Sequence, residues 1–169
     1  MMEHIEKVIT KENQQAVIVF GDTNSTLAGA LAAAKNHVHV VHIESGLRSF
    51  NKKMPEEINR ITADHVSSLL FTPTKAGINN LVREGFRMDN IPPYNIDNPK
   101  VFHCGDVMYD NILFFSKIAE QTSTVLEKHG LEKNQFVLVT IHRDNNTDDP
   151  RRLTSLFKAI FQLANDKDI

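Results

Sequence analysis

Three side chains with acid–base chemistry follow apolar, strand-like runs of this sequence. Asp22 follows the run Ala16–Phe20, Glu44 follows residues 38–43, and His142 follows residues 135–141. Because ligands of open parallel sheets bind beyond the carboxyl ends of the strands, these side chains are expected at one edge. Carboxylates close together cannot all ionise freely, so an acid and a base become available. An imidazole there can donate a proton or offset developing negative charge.

Structural roles for the same residues have to be weighed against chemistry. Asp22 lies in a Gly-Asp-Thr turn, where aspartate often only caps a helix or closes a turn. Glu44 is harder to explain in this way. Glutamate is a weak turn former, and it is poorly tolerated beside a hydrophobic core. Glu56 and Glu57 follow a helix-opening proline, and the positive end of a helix favours acidic residues without any catalytic role. For Glu57 we prefer that explanation.

The segment after the last apolar run is rich in charge. His142 and Arg143 form either a functional pair or a solvated loop. Acidic residues follow at Asp144, Asp148 and Asp149, but helix capping is the commoner role for such residues, so we assign no metal. The sequence contains neither GxGxxG nor GxxxxGK[ST], so neither dinucleotide nor P-loop nucleotide binding has motif support.

Apolar strand-like runs alternate with helical patterns along the whole chain. The pattern predicts strands at 16–20, 38–43, 68–72, 100–104 and 135–141, and helices at 1–13, 26–35, 55–65, 74–84, 106–128 and 151–164. Asn24 or Ser25 is expected to cap the second helix. The alternation predicts a parallel, doubly wound α/β sheet with helices on both faces and strands buried on both sides.

Composition excludes several classes of protein. The 169 residues are 41% hydrophobic and 24% charged, which is typical of a globular chain. A net charge of −2 gives no basic surface for nucleic acid. Cys104 is the one cysteine, and apolar runs are too short to cross a bilayer. Without a signal-peptide pattern at the N-terminus, we expect a cytoplasmic protein with neither nucleic acid nor membrane as a partner.

Four short motifs occur in a fixed order. They are Gly-Asp-Thr at 21–23, His-Ile-Glu-Ser-Gly-Leu-Arg at 42–48, Met-Pro-Glu-Glu-Ile-Asn-Arg at 54–60 and Thr-Ile-His-Arg at 140–143. Together they resemble the non-hydrolysing UDP-N-acetylglucosamine 2-epimerases of bacteria. The resemblance covers essentially the whole chain, with further matches at 71–74 and 105–107. Ser45 departs from it mildly, because alanine is common at that position.

The resemblance implies a fold, a reaction and roles for individual residues. The fold is of the two-domain glycosyltransferase-B type, with two Rossmann-like domains around a cleft. The reaction interconverts UDP-GlcNAc and UDP-ManNAc through elimination and re-addition of UDP, without a redox cofactor or a metal, for surface polysaccharide synthesis. Asp22, Glu44 and Glu56 match acid/base positions, and His142 matches a catalytic residue near the leaving diphosphate. The substrate-binding residues are expected to be Asp22, Glu44, His142 and Arg143.

The same resemblance implies a position within a larger protein. Residues 1–105 match the later part of the N-terminal Rossmann-like domain, residues 106–130 a connecting helical segment, and residues 131–169 the start of the C-terminal Rossmann-like domain. The family's first strand and its later C-terminal half have no counterpart here. We therefore expect a central fragment that is inactive alone and belongs to a homodimer when full length.

Other functions remain open from the sequence. The stretches 23–26 and 49–51 resemble 2-epimerases of a UDP-2,3-diacetamido uronic acid at least as well. A hydrolysing relative would release free ManNAc and UDP. Outside the enzymes, the alternative is a non-catalytic α/β module or an inert α/β fragment.

Overall fold

A computed structural model of the chain describes residues 1–167. The chain divides into two compact units, residues 1–113 and the residues from Phe114 onward. The limits predicted from the family, at residues 105 and 130, stay a prediction. Among the described residues, every helix is too short or too polar to cross a membrane.

The first unit is a four-stranded parallel sheet with helices between the strands. In chain order its elements are α1 (Met2–Lys11), β1 (Ala16–Phe20), α2 (Asn24–Lys35), β2 (His39–Ile43), α3 (Pro55–His65), β3 (Leu69–Thr72), α4 (Lys75–Arg83) and β4 (Lys100–His103). The strands lie in the order β1-β2-β3-β4, and all three pairings are parallel. The predicted α/β class and the predicted βαβ connections are confirmed.

The helices α1 to α4 pack on one face of the sheet. One buried row crosses all four strands on that face, and its members are Val19, His42, Leu70 and Val101. On the opposite face of β1, Ile18 and Phe20 are 58% and 57% exposed. The predictions of a doubly wound sheet and of strands buried on both sides are therefore wrong for this unit. Right-handed crossovers that always advance in the same direction place every helix on the same face.

Short side chains let α2 lie close to the sheet. Ala30, Ala32 and Ala33 are almost completely buried against Val19 and Val40. The helix begins at Asn24, so its cap is Thr23, whose hydroxyl accepts from the amide of Thr26 at 3.3 Å. The expected caps, Asn24 and Ser25, lie inside the first turn instead. This cap fixes the helix end of the turn that carries Asp22, and the amide of Gly21, which donates to the carbonyl of Ile43 at 3.0 Å, fixes the strand end.

Helices dominate the rest of the chain. α5 (Val107–Thr122) is separated from α6 (Val125–His129) at Ser123 and Thr124, and α7 (Asp144–Thr147) and α8 (Pro150–Lys167) follow. The strand predicted at 135–141 is wrong, because these residues form no ladder, and Val137 and Leu138 are 64% and 83% exposed. A strand needs a hydrogen-bonding neighbour, and the described residues of the second unit provide none.

Candidate active site

Asp22 and Glu44 meet at the carboxyl edge of the sheet, where Arg60 of α3 lies between them. Arg60 Nη1 is 2.7 Å from Asp22 Oδ2, and Arg60 Nη2 is 3.6 Å from Glu44 Oε1. Arg60 Nε also donates to the backbone carbonyl of Glu44 at 3.3 Å. The Arg60 side chain is only 12% exposed, while the carboxylates are 26% and 34% exposed. One fixed guanidinium thus holds two carboxylates that a ligand can still reach.

The backbone around this pair is specialised. Gly21 has a φ of +62°, and a Cβ there would come within 3.1 Å of Glu44 Oε2. Glu44 itself has a φ of +72°, a conformation that costs a non-glycine residue of the order of 1–3 kcal/mol. The amides of Glu44 and Ser45 both bind the carbonyl of Phe71 at 3.0 Å, so the neighbouring strand holds this conformation. Retained strain of this kind is concentrated at functional positions.

The concave surface next to Glu44 is small. A cavity of about 90 Å³ is lined on one side by Ile43 and Glu44 and on the other by Cys104, Gly105 and Asp106, among others. Ligand pockets for small molecules usually enclose about 300–1,000 Å³. The cavity beside Glu44 is therefore too small to enclose a nucleotide-sized ligand.

The adjacent acidic residues Glu56 and Glu57 have different environments. Glu56 is exposed and forms no hydrogen bond or ion pair within the part of the chain that the structure describes. It precedes Arg60 by four residues, so both lie on one side of α3. Glu57 is 3% exposed and accepts from the amides of Ser49 and Phe50 at 2.7 and 3.0 Å. Glu57 therefore has a structural role, which is the explanation preferred from the sequence. Its carboxylate fixes the loop after β2 and not only the start of the helix.

Asn59, on the same helix, also supports the site. Its Nδ2 donates to the backbone carbonyl of Asp22 at 2.9 Å and to Asn24 Oδ1 at 3.0 Å. No role is predicted for Asn59 or Arg60 from the sequence, although both lie in the motif at 54–60. The available signal was the i, i+4 spacing of Glu56 and Arg60, which places a cation beside a candidate acid.

A buried polar network lies beneath the carboxylate pair. His42 is fully buried; its Nδ1 lies 2.7 Å from Asp64 Oδ1, and its Nε2 lies 2.8 Å from the carbonyl oxygen of Gly21. Arg48 binds Asp64 with Nη1 and Glu84 with Nε, each at 2.7 Å. No function is predicted for His42 from the sequence. The missed signal is strand alternation, which puts His42 on the helix-covered face with Val40, where a polar group needs partners.

Charge balance in this network shifts two pKa values. The hydrogen bond from Arg48, aided by one from His65, lowers the pKa of Glu84 although partial burial opposes the shift. Burial by itself would lower the pKa of Arg48, but hydrogen bonding to Glu84 and the charge of Asp64 raise it above its ordinary value. Arg48 is thus a permanent cation between two carboxylates.

His142 and Arg143 belong to the second unit. Both side chains are exposed, and the backbone carbonyl of His142 accepts from Asn146 Nδ2 at 3.1 Å. Arg143 has a φ of +77° and precedes α7. The convergence of His142 with Asp22 and Glu44 stays a prediction. Among the side chains that the structure describes, no group of three or more His, Cys, Asp or Glu is arranged to hold a metal ion.

The observed first unit is a Rossmann-like parallel α/β unit with a pair of carboxylates at the carboxyl edge of its sheet. The whole chain, residues 1–169, matches the family described as UDP-N-acetylglucosamine 2-epimerase. The chain belongs to this family, and the predicted resemblance is confirmed.

Individual relatives cover nearly all of the chain. The UDP-2,3-diacetamido-2,3-dideoxy-D-glucuronate 2-epimerase of Pseudomonas aeruginosa is 50% identical over 163 residues, or 96% of this chain and 42% of that protein. The UDP-N-acetylglucosamine 2-epimerase of Methanocaldococcus jannaschii is 42% identical over 165 residues. That alignment covers 96% of this chain and 42% of that protein. A crystal structure of UDP-GlcNAc 2-epimerase from M. jannaschii, in complex with UDP-GlcNAc and UDP, gives a TM-score of 0.81 at 41% identity. That match covers 99% of this chain and 43% of the other. The chain thus spans less than half the length of these relatives.

Proposed function

We propose that the protein carrying this chain is a non-hydrolysing 2-epimerase that interconverts UDP-GlcNAc and UDP-ManNAc for surface polysaccharide synthesis. The observation that carries the proposal is the pair Asp22 and Glu44, held by Arg60 at the carboxyl edge of the sheet. Membership of the family and the substrates named for its relatives support it. The whole protein would have the two-domain glycosyltransferase-B-type architecture.

The reaction requires two proton-transfer groups. One base removes the proton on C2 of the sugar while the bond from C1 to UDP breaks, which leaves a glycal and free UDP. UDP then adds back to C1, and an acid returns a proton to C2 from the opposite face. A pair of carboxylates meets this requirement, since one group takes the proton and another supplies it. Asp22 and Glu44 are our candidates, with Glu56 as a third acid/base residue.

Arg60 gives the two carboxylates unequal freedom. Its contact with Asp22 is short, at 2.7 Å, whereas its contact with Glu44 is 3.6 Å. The shorter ion pair holds the Asp22 carboxylate more firmly in place than the Glu44 carboxylate. Glu44 is the more exposed of the two and is freer to exchange a proton with the sugar.

We assign the leaving diphosphate to the second unit. An imidazole or guanidinium near the breaking bond offsets the negative charge that develops on the departing UDP. His142 is our candidate for this catalytic role, and Arg143 our candidate for binding the substrate next to it. Both are exposed in the described unit and therefore accessible to a ligand.

A second substrate has direct support. The Pseudomonas relative, whose name gives UDP-2,3-diacetamido-2,3-dideoxy-D-glucuronate as substrate, is 50% identical, against 42% for the Methanocaldococcus enzyme. The two sugars share C2 chemistry, so the same carboxylates would serve. Measuring kcat/KM for both on a protein of the relatives' full length, with Asp22→Asn as a control, decides between them. Turnover of neither sugar would contradict the proposed function.

A homodimer in the cytoplasm completes the proposal. Cys104 is exposed and unbridged, as is usual for proteins of reducing compartments. Light scattering of the full-length protein and cell fractionation test the two statements separately. A monomeric full-length protein would contradict the proposed homodimer. Recovery of the protein outside the cytoplasm would contradict the proposed location.

A further inference from the structure

The buried His42 is bonded at both ring nitrogens, and the proposed reaction gives it no role. Its side chain lies on the helix-covered face of β2 and is fully buried. Nε2 is 2.8 Å from the backbone carbonyl oxygen of Gly21, and Nδ1 is 2.7 Å from Asp64 Oδ1. The ring therefore connects the end of β2, the turn after β1 and the last turn of α3.

The partners of His42 indicate its charge. A carbonyl oxygen only accepts hydrogen bonds, so Nε2 carries a proton. Asp64 also accepts from the Arg48 guanidinium at 2.7 Å and from the amide of Gly46 at 3.0 Å, so it is an ionised acceptor. An ionised carboxylate cannot donate, which puts a second proton on Nδ1. His42 is then an imidazolium.

Other charged groups surround His42 and Asp64. α3 contributes Asp64 and His65, the loop after β2 contributes Arg48, and Glu84 directly follows α4. Glu84 binds both Arg48 and His65, whereas Asp64 is shared by Arg48 and His42. His42 therefore lies against a buried carboxylate that a second group also binds.

The place of His42 in the chain links it to both candidate acid/base residues. Its Gly21 partner directly precedes Asp22, and Glu44 follows His42 by two residues, directly after the end of β2. Gly21 is also packed against the Glu44 carboxylate, because a Cβ there would lie 3.1 Å from Oε2. A shift of the Gly21 carbonyl would therefore move Asp22 relative to Glu44.

We propose that His42 is a positioning residue that, as a buried imidazolium, binds the Gly21 carbonyl and thereby sets the spacing of Asp22 and Glu44. Its catalytic consequence rests on the proposed epimerase function, whereas its charge state does not. A displacement of about 1 Å in a catalytic group costs about a hundredfold in rate, so the position of this carbonyl matters.

The charge state is tested by the ¹⁵N resonances of the histidine rings. If both ring nitrogens of His42 donate as the geometry indicates, both should show protonated-type shifts in the folded protein. One unprotonated nitrogen on His42 would overturn the imidazolium, whatever the enzyme's activity.

Two substitutions separate the bonds of His42. Asparagine places an amide donor near the position of Nδ1 and keeps the bond to Asp64, whereas glutamine reaches the position of Nε2 and keeps the bond to Gly21. In a full-length protein, we expect His42→Asn to lower kcat about a hundredfold with little change in KM. His42→Gln should recover most of kcat although it loses the Asp64 bond.

A control separates positioning from simple stabilisation. His39 lies on the same strand and forms a comparable bond to Ser68 at 3.1 Å, at the opposite end of β2. His39→Asn should leave kcat unchanged. If the activities of the His42 variants instead followed their free energies of unfolding, the positioning role would be overturned. If the wild-type protein turned over neither sugar, the proposed function would fail while the charge assignment kept its own test.

Discussion

The guanidinium of Arg60 lies 2.7 Å from the carboxylate of Asp22, although 38 positions separate the two residues along the chain. The contact joins the turn after β1 to the middle of α3. Glu44, at the end of β2, is within 3.6 Å of the same guanidinium. One cation thus holds two carboxylates at the carboxyl edge of the sheet. The arrangement of the site therefore depends on the geometry of the Arg60 guanidinium.

Replacing Arg60 by lysine tests this arrangement. Lysine keeps the positive charge, but a single ammonium lacks the planar fork that reaches two carboxylates at once. We expect Arg60→Lys to lower kcat in the full-length protein about a hundredfold, the usual cost of losing one fixed donor. Arg83→Lys, at the exposed end of α4, is the matched control. An Arg60→Lys enzyme with the kcat of the wild type would contradict the account.

Ser45 provides a test of stability. Its hydroxyl is buried and has no hydrogen-bond partner among the residues that the structure describes. Removing such a group relieves a desolvation cost, so Ser45→Ala should raise the free energy of unfolding by about 1 kcal/mol. In Ser67→Ala the lost hydroxyl donates to the Ala63 carbonyl at 2.7 Å, so the same change should destabilise by about 1 kcal/mol. Denaturant melts that gave both variants the same sign would refute this interpretation.

The lowered pKa of Glu84 makes stability depend on pH. An ionised carboxylate favoured by folding stabilises the protein above its unfolded pKa, and the stabilisation disappears as pH falls through the lower folded pKa. The ordinary value is 4.5, so the loss should begin near there and continue below. Glu84→Gln should flatten the pH dependence of the unfolding free energy in this window.

Asp89 is the control for Glu84. Its ion pair with Arg87 is exposed on both sides, at 72% and 74%, and solvent screens it. Asp89→Asn should change the pH profile of stability far less than Glu84→Gln. Unfolding profiles of the Glu84 variant and the wild type that superimpose below pH 4.5 would rule out the role assigned to Glu84.

Exposed apolar surface predicts self-association of this chain on its own. Ile18 and Phe20 are more than half exposed on the uncovered face of β1, and apolar patches of this kind favour association. Phe20→Lys should shift the mass measured by light scattering toward the monomer. Val82→Lys, which alters an exposed apolar residue on α4, should not. A wild-type chain that stays monomeric at high concentration would contradict this prediction.

Local patterns predicted β1 to β4 and the candidate carboxylates at two of their ends. β-Branched runs mark Ala16–Phe20 and His39–Ile43; Asp22 lies two residues after the first run, and Glu44 directly follows the second. The role of Arg60 needs a contact across the sheet edge, which no local pattern contains. The strand expected at 135–141 failed for a related reason, because strand formation depends on a pairing neighbour and not on propensity alone.

Buried polar groups were the hardest to predict. His42 between Val41 and Ile43 reads as a packing residue, and only its alternation with Val40 shows that it faces the helices. Its partners Gly21 and Asp64 lie 21 and 22 positions away. Much of the motif at 42–48 therefore serves to hold the loop that carries Glu44, a role that becomes visible only with the contacts of Asp64 and Arg48.

The most direct test of the central claim is solvent-deuterium incorporation at C2 by a full-length protein that carries this chain. Each productive cycle returns a solvent proton to C2, so the wild type should incorporate deuterium as it epimerises its UDP-sugar. Asp22→Asn and Glu44→Gln keep the shape of each side chain but remove proton transfer, and each should slow incorporation by about a hundred- to ten-thousandfold. Full epimerisation with full incorporation in the double variant would contradict the assignment of both residues.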